Sequence, residues 1–450
     1  MNDLLYARLQ MAMSLGFHII FACFGMVMPF LMIVSHYFWL KKKERVYLDL
    51  TKAWSKGVAM IFATGAVSGT VLSFELGLLW PKFMEHAGPI IGMPFSLEGT
   101  AFFLEAIAIG FFLYGWDRVN PWTHWASGWV VGVSGIASGI FVVSANAWMN
   151  SPSGFDWVNG QAVNIDPVKA LFNAAWFSQA LHMVLAAFIA TGFTVAGVHA
   201  YLLLRNPQNE IHKKAIPIAL WLGAVAAVLQ PLSGDYSSRD IARRQPLKLA
   251  AAEALFTTQR GAPLTVGGIP DMENFRNRFA SEIPKGLSLL AFHDPNAEVQ
   301  GLDAFPRENW PPVPVVHTAF QIMIAIGILL MLVSLNFFYL FFKKRERLFG
   351  KNFLRVLTWC TPLGFIAIEA GWTVTEVGRQ PWIIYGIMRT RDSLTPMPGL
   401  IVPFLSMTCL YVFLSVVLVW LMVRQFKAVA FYEGRKTRGE GRDFDRQGNF

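Results

Sequence analysis

Four side chains set in apolar surroundings define the chemistry open to this chain. Glu376 and Arg379 stand one helical turn apart in Gly371-Trp372-Thr373-Val374-Thr375-Glu376-Val377-Gly378-Arg379-Gln380-Pro381-Trp382, at the end of a long apolar run. A charge at that depth costs several kcal/mol without a partner, which marks it for function. His18, in Gly16-Phe17-His18, and His182, in Gln179-Ala180-Leu181-His182-Met183, also fall inside apolar runs. An imidazole there needs a hydrogen-bond partner or a metal, and for a lone histidine a bond to a neighbouring helix is the commoner outcome. Met323 lies in a later run that starts near Val313, which puts it roughly 15 Å deep at ~1.5 Å per residue. His182 is expected at a similar depth in a span running the same way. One His and one Met on the same iron make a six-coordinate, low-spin haem suited to electron transfer, although most of the 18 methionines must be packing residues.

Carboxylates extend the pattern. Glu98 and Glu105 are seven residues apart, two helical turns, and so project from nearly one face. A ladder of acids on one face can carry protons through a membrane, the alternative being structural hydrogen bonds to neighbouring helices. Ser138 and Asn146 in the next span either lengthen that polar track or glue helices together. Glu75 is a further buried acid with no assigned partner. Outside the spans, Lys248-Leu249-Ala250-Ala251-Ala252-Glu253 places a cation and an acid on one short helix, where such charges are ordinarily solvated and matter only if something binds between them. Solvated or interfacial positions are expected for His36, His199 and His212 near basic segments and for His86, His124 and His293 in or beside loops. His317, at the start of the seventh span, is open.

The elements that must position these groups follow from composition. Of 450 residues, 54% are hydrophobic and 15% charged, which excludes a soluble core and predicts an all-α polytopic membrane protein. Nine runs are long enough to cross the bilayer, near 14–40, 54–80, 95–115, 122–148, 173–204, 214–233, 313–342, 353–376 and 400–423. The first is far longer than a signal-peptide core and lacks a small-residue cleavage site, so it is kept as a span. Lys41 to Arg45, Lys213 and Lys214, Lys343 to Arg347, and Arg435, Lys436 and Arg438 fall on one side of this bundle. The positive-inside rule makes that side cytoplasmic, with the N-terminus outside and the C-terminus inside. The net charge of +9 therefore reads as topology, with no nucleic-acid partner implied. Cys23, Cys360 and Cys409 sit in three different spans and are expected to be free, buried thiols. No internal repeat is evident.

The chain divides accordingly into 1–233 with six spans, the acids and both histidines; an outer loop at 234–312; spans seven to nine at 313–423; and a basic cytoplasmic tail at 424–450. A loop of this size usually does something. Within it Arg243 to Gln259 reads as locally helical, and the remainder is rich in turns.

Taken together these residues resemble subunit I of the cytochrome bd family of quinol oxidases over essentially the whole chain. The motifs are Gly371-Trp372 through Trp382, Phe102-Phe103-Leu104-Glu105, Gly115-Trp116-Asp117-Arg118, Ala145-Asn146-Ala147-Trp148-Met149, Lys248 to Glu253 and Phe320-Gln321-Ile322-Met323. The resemblance implies that His182 and Met323 ligate a low-spin haem b. It assigns His18 and Glu376 to two high-spin haems, a haem b and a haem d, with a second haem b in place of haem d in some members. Arg379 would pair with a haem carboxylate, with Trp372, Asn146 and Ser138 beside the cofactors. Lys248 and Glu253 would contact the quinol, and Glu98 and Glu105 would line a route for protons. Implied partners are a second polytopic subunit (subunit II), a small single-span subunit, membrane quinol (ubiquinol or menaquinol) and molecular oxygen, in a bacterial cytoplasmic membrane. The expected activity oxidises quinol at the outer face and reduces oxygen to water with cytoplasmic protons, building a gradient without a pump. Many members carry arginine where Gln321 stands, and the loop is of the short class. The competing reading is a proton-coupled transporter using Glu98, Glu105 and Glu376, which makes no use of Met323 or of the loop charges. A haem-copper oxidase would need a near-adjacent histidine pair that the sequence lacks.

Overall fold

The computed structural model describes residues 2–436. In hydrocarbon every backbone N–H and C=O must be satisfied within its own segment, so apolar runs of this length become helices. They are α1 (Asn2–Lys42), α2 (Arg45–Leu79), α3 (Pro81–Tyr114), α4 (Pro121–Asn150), a one-turn α5 (Pro167–Leu171), α6 (Trp176–Arg205) and α7 (Glu210–Arg244). Beyond them come α8 (Pro246–Glu253), α9 (Gly286–Phe292), α10 (Val313–Lys343), α11 (Lys351–Cys360), α12 (Leu363–Val377) and α13 (Ile401–Lys436). Among the described residues nine helical segments are long and apolar enough to span, with α11 and α12 together forming the eighth. Each expected run is there. Of the basic tail, residues 437–450 lie outside the described residues.

The helices overrun their expected limits at the face that carries the long loop. α1 has 41 residues, about 61 Å at 1.5 Å per residue, whereas the hydrocarbon layer is about 30 Å thick. The first turns of α1, the last of α2 and the first of α3 instead build a second core with the end of α4, around Ala7, Leu79, Trp80, Phe83, Ile90 and Trp148. α7 likewise continues through the expected end of the sixth span to Arg244. It stops where Gln245 precedes Pro246, because a residue before proline is pushed out of the α region; Gln245 has φ −136° and ψ 59°. The eighth span, expected to be continuous, breaks at Thr361-Pro362, where proline lacks the N–H that the helix would need.

α1 pairs with α2, α3 with α4, and α6 with α7, while α10 packs on α7 and α12 and α11 packs on α6. Contacts of α6 with α1 and α4 join the two groups. Toward the basic face an apolar core gathers Phe112, Phe193, Leu220 and Phe337. α8, α9 and short antiparallel ribbons, among them Leu264–Val266 with Ser281–Ile283, cap the opposite face.

This long bundle buries groups that the sequence placed in solvent. His36 is fully buried among Trp39, Trp116 and His124, its ring centroid 5.1 Å from that of His124. His199 and His212 are buried too, with their Nδ1 atoms 2.8 Å apart and the Trp54 indole donating to Nε2 of His199. The reason is packing between helices at that face: His36 and His124 are enclosed by Trp39, Phe112 and Trp116, and His199 and His212 by each other and Trp54. The expectation of interfacial histidines fails at these four positions, whereas His293 is exposed. Cys23 and Cys360 are buried thiols, but Cys409 is exposed because α13 presents it outward.

Candidate functional site

His18 and His182 are held by the same device. Nδ1 of His18 lies 2.9 Å from Oγ of Ser68 on α2, and Nδ1 of His182 lies 3.0 Å from Oγ of Ser233 on α7. Each serine has one hydroxyl proton, and each donates it to its own helix: Ser68 to the carbonyl of Thr64 or Gly65, Ser233 to that of Gln230. The serine oxygen must then accept from Nδ1–H, which leaves the lone pair on Nε2 in both rings. A hydrogen-bonded Nδ1–H with the lone pair left on Nε2 is how a metal-binding imidazole is oriented, although at His182 that lone pair accepts from Gln230 and a metal would have to displace the bond. Glycine follows each serine, and at Gly69 it makes room for the ring. A Cβ at Gly69 would sit 2.9 Å from Cε1 of His18, and one at Gly234 3.8 Å from Cε1 of His182. The amide of Gln230 donates to Nε2 of His182 at 3.1 Å, in agreement with an acceptor there.

Met323 on α10 is half-buried, and its Sδ lies 3.0 Å from where a Cβ on Gly371 of α12 would be. α6 and α10, which carry His182 and Met323, both pack against α7. Trp372 enters the cluster of Cys23, Met26, Val27 and Ile368, to which Ile19 and Met183 also belong. Those last two residues adjoin His18 and His182, so Trp372 sits where the two histidine-bearing helices meet α12.

The carboxylate of Glu376 accepts from Asn146 on α4 at one oxygen and from Nη2 of Arg379, at 2.5 Å, at the other. Arg379 is buried, yet its Nε and Nη1 have no hydrogen-bond partner. Glu98 accepts from Ser138 at 3.3 Å, and Glu105 is buried between α1 and α4 with Oε1 3.2 Å from a Cβ position on Gly135. The structure thus gathers Glu98, Glu105 and Ser138 on the seam of α3 and α4, and Asn146 continues α4 to Glu376. Glu75 has found partners in Gln10 and Ser14.

In the loop, Lys248 and Glu253 are both buried, contrary to the expectation of solvated charges. α8 is alanine-rich and lies against α10 and α7, which carries both side chains inward. Nζ of Lys248 donates to Oδ1 of Asn150 at 2.6 Å and to the carbonyl of Thr375 at 3.1 Å. Burial, with Arg379 nearby adding to it, pushes the lysine down to about 7. Glu253 accepts from the backbone of Thr265 at 3.3 Å and leaves Oε1 unpartnered, and burial pushes its carboxyl up to about 8. Gln321 is a clamp: its amide accepts from Gly267 N–H at 2.9 Å and donates to the Thr265 carbonyl at 3.1 Å. His317, four residues earlier on the same face of α10, reaches the carbonyls of Ala252 and Gly267.

Sequence reasoning missed Ser68, Ser233, Gln230, Asn150 and Glu369. Serine, glutamine and asparagine carry no signal without their partners. Glu369 did: it stands seven residues before Glu376, the spacing that singled out Glu98 and Glu105. It lies beside Gly16, has a buried Oε1 without a partner, and lines an open apolar hollow with Ile20, Phe24, Thr194 and Phe365.

These residues fit haem. Imidazoles with an Nε2 lone pair and a thioether are haem-iron ligand types, and the Glu376 carboxylate adds an anionic oxygen donor. A buried guanidinium with two unmet donors suits an anionic carboxylate such as a haem propionate, since buried charge is otherwise costly.

The family model "Cytochrome bd terminal oxidase subunit I" matches residues 6–430. The chain is 36% identical over 432 residues to "Putative cytochrome bd menaquinol oxidase subunit I" of Bacillus subtilis (strain 168), covering 95% of this chain and 97% of that protein. It is 30% identical over 448 residues to "Cytochrome bd ubiquinol oxidase subunit 1" of the same organism, covering 96% and 95%. Among solved structures, the bd oxidase from Geobacillus thermodenitrificans superposes with a TM-score of 0.90 at 35% identity, over 94% of this chain and 98% of that one. With the match spanning nearly the whole chain, the protein belongs to the cytochrome bd terminal oxidase subunit I family.

Proposed function

We propose that this chain is the haem-bearing subunit of a quinol:oxygen oxidoreductase, in which His182 and Met323 hold a low-spin haem b and His18 and Glu376 hold two high-spin haems. One of the latter is a haem b and the other a haem d, or a second haem b. The observation that carries this reading is the pair of serine-oriented imidazoles together with the unmet donors of Arg379. When bound, the haems pass single electrons and supply the iron at which oxygen is reduced.

The protein's own groups do the rest. Glu253 sits buried with one free oxygen, the state of a base that takes a proton from a quinol hydroxyl once its own proton has left. Its carboxyl is raised to about 8, so it is mostly protonated below that pH and accepts better above it. Lys248 is a donor for a quinone oxygen. Arg379 neutralises the carboxylate of Glu376 and keeps two donors for a propionate. Glu105, Glu98 and Ser138 hold protons on the α3–α4 seam, supplied from the basic, cytoplasmic face. Quinol protons leave at the loop face while those consumed in water formation come from the opposite one, which charges the membrane without a pump. A second polytopic subunit, subunit II, and a small single-span subunit complete the complex.

A reduced-minus-oxidised absorption spectrum of the purified complex tests the cofactor reading: haem bands are expected, and their absence overturns it. Glu253→Gln tests the quinol reading. Wild-type quinol oxidation should rise as pH passes through about 8 and the variant's should not, while oxidation of an artificial donor persists in both; an unchanged pH profile in the variant removes Glu253 as the base.

A further inference from the structure

We infer that Asn150 is a positioning residue that couples the quinol side of the protein, at Lys248, to the carboxylate of Glu376. The inference rests on the roles proposed above for those two residues, and the coupling itself is drawn from hydrogen bonds that were not read from the sequence. Nζ of Lys248 donates to Oδ1 of Asn150 at 2.6 Å. Nδ2 of Asn150 donates in turn to Oδ1 of Asn146 at 3.1 Å and to its backbone carbonyl at 3.0 Å. Nδ2 of Asn146 then donates to Oε1 of Glu376. Every link points the same way, from the ammonium to the carboxylate.

The residue type at 150 matters because only a side chain with both an acceptor and a donor can pass the chain on. Aspartate would still accept from Lys248 but would set a carboxylate oxygen against the Asn146 oxygen. The surroundings hold Asn150 in place: it is buried, it ends α4, and its backbone carbonyl accepts from Nε2 of Gln245 at 3.1 Å. Lys248 also donates to the carbonyl of Thr375 in the last turn of α12. Its ammonium therefore sits at the negative ends of two helix dipoles, α4 and α12, which favours it there. Away from water such charge-assisted bonds are strong, and bonds in series polarise one another.

A quinone oxygen that takes a hydrogen bond from Lys248 weakens its bond to Asn150, and the change is felt at Oε1 of Glu376. Occupancy of the quinol site is thus reported to a haem-ligating carboxylate without any movement of a helix.

The test uses the haem-loaded complex and 2-heptyl-4-hydroxyquinoline N-oxide, a redox-inactive quinol analogue. In the wild type, the analogue should shift the absorption band and midpoint potential of the high-spin haem on Glu376 and leave the low-spin band in place. Asn150→Ala and Asn150→Asp should each displace that high-spin band in the free enzyme and lose the response to the analogue. Asn150→Asp should keep a quinol KM close to wild type, because Lys248 retains its acceptor. A high-spin band and analogue response in Asn150→Asp equal to those of the wild type overturn the coupling, and that variant decides the matter if Asn150→Ala does not assemble. Lys248→Met separates the two readings. If it leaves the quinol KM unchanged, the quinol role of Lys248 fails, while the band shift in the Asn150 variants still decides whether Asn150 positions Glu376. A complex without haem refutes the proposed function and the coupling together.

Discussion

His18 leans on Ser68 and Gly69 across the α1–α2 pair, and His182 leans on Ser233 and Gly234 across the α6–α7 pair. Three residues before each serine the two hairpins part: α2 has Gly65 and α7 has Gln230. The amide of Gln230 reaches Nε2 of His182, and a glycine has nothing with which to do the same for His18. The shared serine sets tautomer and ring orientation, while the variable third position decides what else touches Nε2. His36 and His124 on the basic face supply the contrast. They are buried against aromatic rings, no serine orients them, and three of their four ring nitrogens have no partner. Burial alone does not prepare an imidazole for iron; the oriented Nδ1–H does.

The comparison predicts its largest effect at the imidazoles themselves. His182→Ala should abolish the low-spin haem bands and leave high-spin bands, and His18→Ala should do the reverse for one high-spin haem. Loss of the same bands in both variants would contradict two separate sites. Removing the orienting hydroxyl comes next. Ser68→Ala and Ser233→Ala should each weaken haem retention about 10–100-fold, the usual range for such partners, each at its own haem in a haem-loss assay; retention equal to wild type in both would mean that the serines do not orient the rings.

The glycines should then behave differently. Gly69→Ala puts a methyl group 2.9 Å from the His18 ring, an overpacking cost of about 1–3 kcal/mol, whereas Gly234→Ala has 3.8 Å and ordinary contact. Thermal unfolding of the two variants in detergent measures this, and equal midpoints would show that the clearances do not matter. The smallest effect belongs to Gln230→Ala. It removes one hydrogen bond worth about 0.5–1.5 kcal/mol net that competes with iron for the Nε2 lone pair, and should strengthen haem retention at the low-spin site alone in a haem-loss assay; a change at a high-spin haem instead would place Gln230 in the wrong hairpin.

The spans were legible because hydrocarbon imposes a length and a composition on any segment that crosses it. What the runs did not show was where helices stop outside the lipid, since there the constraint lapses. α1, α2, α3 and α7 all continue past their apolar segments, and Gln245-Pro246, a local steric signal, ended the last of these. Glu98 and Glu105 could be paired by period alone. Ser138 shows no partner in the sequence, and only the packing of α3 on α4 brings its hydroxyl to Glu98. The burial of Lys248 and Glu253 is not legible in the sequence, because a charge in a polar loop gives no sign of which helices will close over it.

By itself the sequence determined the membrane character and the number of spans, because hydropathy is a property of the chain, and it singled out His18, His182, Met323 and Glu376 as candidates by residue type alone. The tertiary structure decided how those groups are prepared. The Nδ1–H of His18 and of His182, the bond from Asn146 to Glu376 and the bonds of Lys248 each join residues 50 or more positions apart. Hydrogen bonds reach about 3 Å, and only the packing of one helix against another brings such residues within that distance.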